Sequence, residues 1–221
     1  MFFKKIIVQT MKKTIFIIVS FSVICGNLFS QTDRKLSEDE KQVFEQKMIE
    51  HSKKIKTLQC AFAQEKTSDL VSEKALAKGV LLCQLPSMLR WERTEPTPLT
   101  LILNENDAVL FDKHGKKTGN EKMLEQVGGI LISMVDGTGI TQNELFSSEF
   151  HEIDDTQILI ILTPVEKHVK DFCNKIELRI DRKTMLGNHI TLEKRSGDKM
   201  IILLTDIILN AEIPQNKFVI K

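Results

Sequence analysis

The 221-residue sequence is nearly neutral: 31 Lys and Arg stand against 30 Asp and Glu, which gives a formal net charge of +1. This balance excludes a strongly basic nucleic-acid-binding surface. The four cysteines have no metal-like spacing and are too few for a disulfide scaffold.

The N-terminal segment is typical of a secretory signal peptide. Met11-Lys12-Lys13 precedes an apolar run from Thr14 to Cys25, which is too short for a comfortable membrane anchor. A membrane-tethering helix is the alternative. Lipid modification at Cys25 is disfavoured because the preceding Ile24 is bulky, whereas cleavage after Ser30 meets the small-residue requirement. We therefore predict a signal peptide at 1–30 and one domain of 191 residues at 31–221, with a net charge of −3 and a periplasmic location.

A capping box predicts the first helix of this domain. Ser37-Glu38-Asp39-Glu40 places a side-chain oxygen and a returning carboxylate at the helix N-terminus. The helix should extend to about Ile55, with Phe44 and Met48 on its apolar stripe.

Two apolar segments follow and predict a β-hairpin. The strands are 57–66 and 75–85, joined by a polar turn at 67–74. This register centres the hairpin between Val71 and Ser72, so Cys60 and Cys83 should face each other as neighbouring inward thiols, with a disulfide as the alternative. Pro86 bends the chain, and alternation beyond it extends the apolar face. That face contains Leu81, Cys83, Leu85, Leu89 and Trp91.

The remainder of the sequence predicts a second hairpin, a helical insert and further strands. The hairpin comprises 98–103 and 108–112, and the insert around Gly128-Gly129 should be a broken helix. A phosphate-binding loop at these glycines is disfavoured, since no strand feeds it and no Lys-Ser/Thr pair follows. The later strands are predicted at 146–152, 157–163, 172–180, 189–195, 200–209 and 217–220.

The stretch from Gly79 to Pro96 has the form G-x-L-x₄-P-x₃-R-W-x₄-P and resembles the signature of the periplasmic lipoprotein-carrier (LolA-like) family. The preceding strand, with Leu58, Cys60, Phe62 and Gln64, is similar to the first strand of that family. The resemblance implies an α+β fold: an incomplete, unclosed antiparallel β-barrel, formed by a strongly curved sheet, with helices as a lid over an apolar cavity. The implied cavity residues are Leu58, Cys60, Phe62, Leu81, Cys83, Leu85, Leu89, Trp91 and Leu101; the implied lid residues are Phe44, Met48, Ile130, Leu131 and Met134.

The resemblance also implies a function. Such a carrier binds the acyl chains of lipoproteins, accepts them from an inner-membrane lipoprotein-releasing ABC transporter and passes them to the outer membrane, where an acceptor would be a further partner. We expect a monomer without cofactor, metal or catalytic residues, because the five histidines are scattered and no Gly-x-Ser-x-Gly turn occurs. The alternatives are a carrier or sensor of another lipid or glycolipid, and a periplasmic hydrolase or isomerase.

One position departs from the family pattern. Carriers of this type often have an Arg directly before the first Pro of the signature, where it can hydrogen-bond the lid; this sequence has Leu85 there. The resemblance therefore implies a lid that is held by apolar contacts, with residues such as Ile130 and Met134, and that opens more easily.

Overall fold

The computed structural model describes residues 34–68, 71–104, 107–118, 128–129, 131–132, 140, 144–171 and 173–220, with the backbone alone at 71–73 and 168. All of them belong to one compact unit, Thr32–Lys221. The predicted signal peptide at 1–30 lies outside the described residues. None of the helices among these residues is long and apolar enough to cross a membrane.

The predicted capping box starts the first helix, α1, at Glu38–Ser52. The Glu40 amide donates to the Ser37 hydroxyl at 3.3 Å, and the Ser37 amide donates to the Glu40 carboxylate at 2.9 Å. The helix ends before the predicted Ile55, which lies in the following turn with its side chain buried. Phe44 and Met48 form the buried face, and Phe44 packs edge-on against Phe150 with the ring centroids 6.1 Å apart.

In the described residues, twelve strands form one open antiparallel sheet, as the α+β incomplete-barrel prediction requires. Its order is β1-β8-β9-β10-β11-β12-β2-β3-β4-β5-β6-β7, so the two-residue strands β1 and β7 are the edges. The bounds are β1 Arg34–Lys35, β2 Thr57–Ser68, β3 Val71–Gln84, β4 Met88–Glu95, β5 Leu99–Leu103, β6 Ala108–Phe111, β7 Lys117–Thr118, β8 Phe146–Glu152, β9 Gln157–Pro164, β10 Cys173–Asp181, β11 Gly187–Lys194 and β12 Lys199–Leu209. A short helix, α2 (Lys167–Lys170), joins β9 to β10.

The predicted register of the first hairpin is wrong by two residues. The strands β2 and β3 continue through most of the predicted polar turn, and their last pair is Ser68 with Val71, so the hairpin turns earlier than predicted. A bulge between Lys66 and Ser68 offsets part of this difference. Cys60 therefore lies opposite Leu81, and Cys83 lies opposite Leu58. The two cysteines occupy diagonal positions of one buried face, and both are free thiols.

The strands β3 and β4 form a hairpin around Pro86, whereas the sequence predicted one strand that bends there. A tight turn at 85–87 reverses the chain, so Leu81 pairs with Trp91 and Cys83 pairs with Leu89. The apolar face predicted along the sequence is thus a wall made by two adjacent strands.

The predicted C-terminal strand at 217–220 is wrong, because a 3-10 helix occupies Gln215–Phe218. Phe218 is buried, and the Arg90 guanidinium donates to the Lys217 carbonyl oxygen at 3.2 Å. The same guanidinium bonds the Glu92 carboxylate at 2.7 Å. Arg90 is therefore a structural residue that ties the C-terminal segment to β4.

Candidate functional site

The inner face of the sheet becomes more exposed along β2. Alternate residues of this strand face inward: Leu58, Cys60 and Phe62 are buried, Gln64 is half-buried and Lys66 is exposed. The neighbouring strand β3 changes in the same direction, from buried Leu81 to exposed Ala75. Solvent therefore reaches the inner face from the Gln64 end.

Phe62 and Trp91 stack on this face although β3 separates their strands. Their ring centroids lie 3.8 Å apart at an interplanar angle of 27°. The contact passes over Gly79, which pairs with Phe62 on one side and Arg93 on the other. A methyl group at Gly79 would overlap both the Phe62 ring and the Glu92 carbonyl oxygen, so the stack requires glycine at this position.

Next to this stack lies an apolar cavity of about 200 Å³. Strands from both halves of the sheet form it, and one side chain of the helical insert, Leu131, lies against it. The lining residues are Gln64, Trp91, Leu99, Leu101, Leu110, Leu131, Ile176, Ile190, Leu192, Met200 and Ile202. Gln64 is the one residue of this set with an amide or charged side chain.

The described parts of the insert pack closely on the sheet. Leu131, Ile132 and Ile140 are buried. A methyl group at Gly128 would overlap the Leu103 side chain, whereas one at Gly129 would meet none of the described residues within 4 Å. Close approach of the insert to β5 therefore explains the first glycine of the pair.

The residues predicted for the site occupy three places. Trp91, Leu101 and Leu131 line the cavity. A larger group lies buried in the core that continues from the cavity: Phe44, Met48, Leu58, Cys60, Phe62, Leu81, Cys83 and Leu89. Leu85 is half-buried and lines a separate, open groove of about 860 Å³ with Ile55 and Ile213. Ile130 and Met134 lie outside the described residues.

The sequence-based prediction missed the wall opposite Trp91. Five residues of β10, β11 and β12 provide it: Ile176, Ile190, Leu192, Met200 and Ile202. Their alternation with polar residues indicated an inward face, but no local pattern indicates which distant strand that face meets.

The thiols near the cavity are not arranged for chemistry. Burial raises the pKa of Cys60 to about 12 and that of Cys173 to about 11, and it raises the pKa of Cys83 further. Such thiols stay protonated and are poor nucleophiles. Across the part of the chain that the structure describes, no group of three His, Cys, Asp or Glu residues could hold a metal ion.

Several solved structures match this chain at low identity. A LolA superfamily protein from Nitrosomonas europaea is 13% identical with a TM-score of 0.46, and the match covers 79% of this chain and 97% of that one. The complex of Pseudomonas aeruginosa MucA and MucB gives 10% identity and a TM-score of 0.48, with 81% and 60% covered. Mycobacterium tuberculosis lipoprotein LppX gives 10% identity and a TM-score of 0.45, with 80% and 99% covered.

No curated protein matches the sequence. The family model described as "Outer membrane lipoprotein carrier protein LolA" matches residues 53–221, which include every strand of the sheet except β1, the Gly79–Pro96 signature and the cavity. The chain therefore belongs to the LolA family of outer membrane lipoprotein carrier proteins.

Proposed function

We propose that this protein is a periplasmic carrier that binds the acyl chains of lipoproteins and shuttles them from the inner to the outer membrane. The observation that carries the proposal is the cavity itself, whose wall is apolar apart from Gln64. An apolar cavity with a polar group near its mouth suits a long hydrocarbon chain with a polar head.

The size of the cavity indicates how loading would work. Ligand pockets usually occupy about 300–1,000 Å³, whereas this one holds about 200 Å³ with Leu131 against it. An acyl chain therefore has to displace side chains of the insert as it enters. We propose that the insert acts as the lid and α1 as its fixed part.

Displacement of the lid also keeps binding reversible. Burial of a chain of about sixteen carbons yields about 12 kcal/mol gross, and three such chains would exceed any reversible affinity. The apolar contacts that the lid loses on opening offset part of this gain. The ligand then gains only the difference between its own contacts and those of the lid.

Native mass spectrometry of the protein purified from its own periplasm tests the function. A retained triacylated peptide is the expected result. A free glycolipid or other lipid would instead favour a carrier or sensor of that lipid, and an empty protein that turns over a substrate would favour an enzyme.

The partners follow from the same proposal. An inner-membrane lipoprotein-releasing ABC transporter would load the carrier, and an outer-membrane acceptor would unload it. We propose that the carrier acts as a monomer. Depletion of the protein should leave outer-membrane lipoproteins in the inner membrane, and light scattering should give the mass of one chain.

A further inference from the structure

We propose that Gln64 is a specificity-determining residue that hydrogen-bonds the carbonyl group of a bound acyl ester or amide. The cavity would thereby prefer acyl lipids to ether-linked lipids with the same chains. This inference rests on the proposed lipid-binding function and names the chemical class that the cavity selects.

Gln64 lies on the inner face of the sheet, near the mouth of the cavity. Its cross-strand neighbours on the inner face are the apolar residues Ile202 and Ala77. It lies between buried Phe62 and exposed Lys66, which places it near the mouth of the cavity. A ligand with its tail against Trp91 would hold its polar end at this level.

The side chain of Gln64 needs a hydrogen-bond partner when a ligand fills the cavity. The side-chain amide of Gln64 makes no hydrogen bond to any of the described residues, although this group can donate two hydrogen bonds and accept two. Water can reach it while the cavity is empty. An acyl chain that fills the apolar wall expels this water, so the ligand has to supply the hydrogen bond or leave the amide unpaired.

The chemistry of acyl lipids meets this requirement. In an ester or amide of a fatty acid, the carbonyl oxygen is a strong acceptor directly between the apolar tail and the polar head. An alkyl ether fills the same wall but lacks that oxygen. Sites that hydrogen-bond a ligand reject analogues without the bonding group, because their own polar atoms then stay unpaired.

Titration of Trp91 fluorescence tests the proposal, because the Trp91 side chain lines the cavity. Trp91 is the single Trp of the chain and no Tyr is present, so the fluorescence signal comes from this residue. The probes are a short-chain diacyl phosphatidylcholine and the dialkyl ether phosphatidylcholine with the same chain length, both below their micelle-forming concentrations. The wild-type protein should bind the diester about two- to tenfold more tightly, which is the range of one net hydrogen bond.

Gln64→Leu should bind both lipids with equal affinity. Gln59→Leu is the matched control: Gln59 is on the same strand but on the outer face, opposite Leu82 and Ile208. This variant should keep the wild-type preference. Gln64→Met, closer in shape to glutamine, replaces Gln64→Leu if that variant unfolds.

Equal binding of the two lipids by the wild-type protein would overturn the role of Gln64 and leave lipid binding intact. Retention of the ester preference in the folded Gln64 variant would overturn it as well. If neither lipid binds, the proposed lipid-binding function is overturned and, with it, the assignment of Gln64.

Discussion

Phe62 on β2 and Trp91 on β4 stack face to face at 3.8 Å across the intervening strand β3. Rings on next-nearest strands do not usually touch in this way, because a side chain on the middle strand lies between them. Gly79 has no side chain, so it leaves the space that the two rings fill. The glycine, the tryptophan and the phenylalanine of the family-like motifs thus form one structural unit beside the cavity.

Substitution Gly79→Ala should break this unit. The added methyl overlaps the Phe62 ring and the Glu92 carbonyl oxygen, and overpacking of this kind costs about 1–3 kcal/mol. Urea unfolding should show that loss of stability, and the emission of Trp91 should shift because its stacking partner moves. An unchanged free energy of unfolding would contradict the close approach at Gly79.

The adjacent glycines of the insert should respond in opposite ways. Gly128→Ala drives a methyl into Leu103 and should destabilise the protein by about 1–3 kcal/mol. Gly129 has helical backbone, and the methyl added by Gly129→Ala meets none of the described residues within 4 Å, so this substitution should be neutral or stabilise by up to about 1 kcal/mol. Thermal unfolding of the two variants side by side checks the prediction, and equal shifts would contradict the placement of the insert against β5.

Leu131→Ala should increase the affinity for lipid, because it removes apolar bulk from the cavity. Both this variant and the control Leu178→Ala should lose about 2–5 kcal/mol of stability, since both leucines are buried. Leu178 does not line the cavity, so its variant should bind a short-chain diacyl phosphatidylcholine with unchanged affinity. Equal affinities of the two variants in a Trp91 fluorescence titration would show that Leu131 is not part of the lid.

Glu40 should give the start of α1 a specific pH dependence. The Arg34 guanidinium bonds both carboxylate oxygens of Glu40, at 2.9 and 3.1 Å, and lowers the pKa of Glu40 from 4.5 to about 2. A pKa that is lower in the folded protein stabilises it above the unfolded pKa, and this contribution is lost as the pH falls from about 4.5 to about 2.

The variant Glu40→Gln keeps an acceptor for the Ser37 amide but removes the charge. Its melting temperature should be below that of the wild type at neutral pH, and the difference should vanish near pH 2. High salt should reduce the difference, because the pair is exposed. A difference that stays constant over this pH range would contradict the role of the Arg34–Glu40 pair.

The sequence by itself determined the elements that depend on near neighbours. The capping box at Ser37 fixes the start of α1, since its hydrogen bonds join residues three positions apart. Alternation in β2 and β10 fixes which side chains face inward, since neighbouring side chains of a strand point to opposite faces. The inward set of Leu58, Cys60 and Phe62 follows from this rule, whatever the pairing of the strands.

Only the tertiary structure decided which strands meet and in what register. The hairpin turns immediately after Ser68, earlier than predicted, and the bulge near Lys66 offsets only part of this difference, so Cys60 pairs with Leu81 instead of Cys83. A bulge adds residues without a reliable local signal. The wall opposite Trp91 comes from Ile176 and Ile190, about 85–100 positions away, which the curved sheet brings to one cavity. Pairing over such distances is set by the packing of the whole sheet, so no short segment of the sequence contains it.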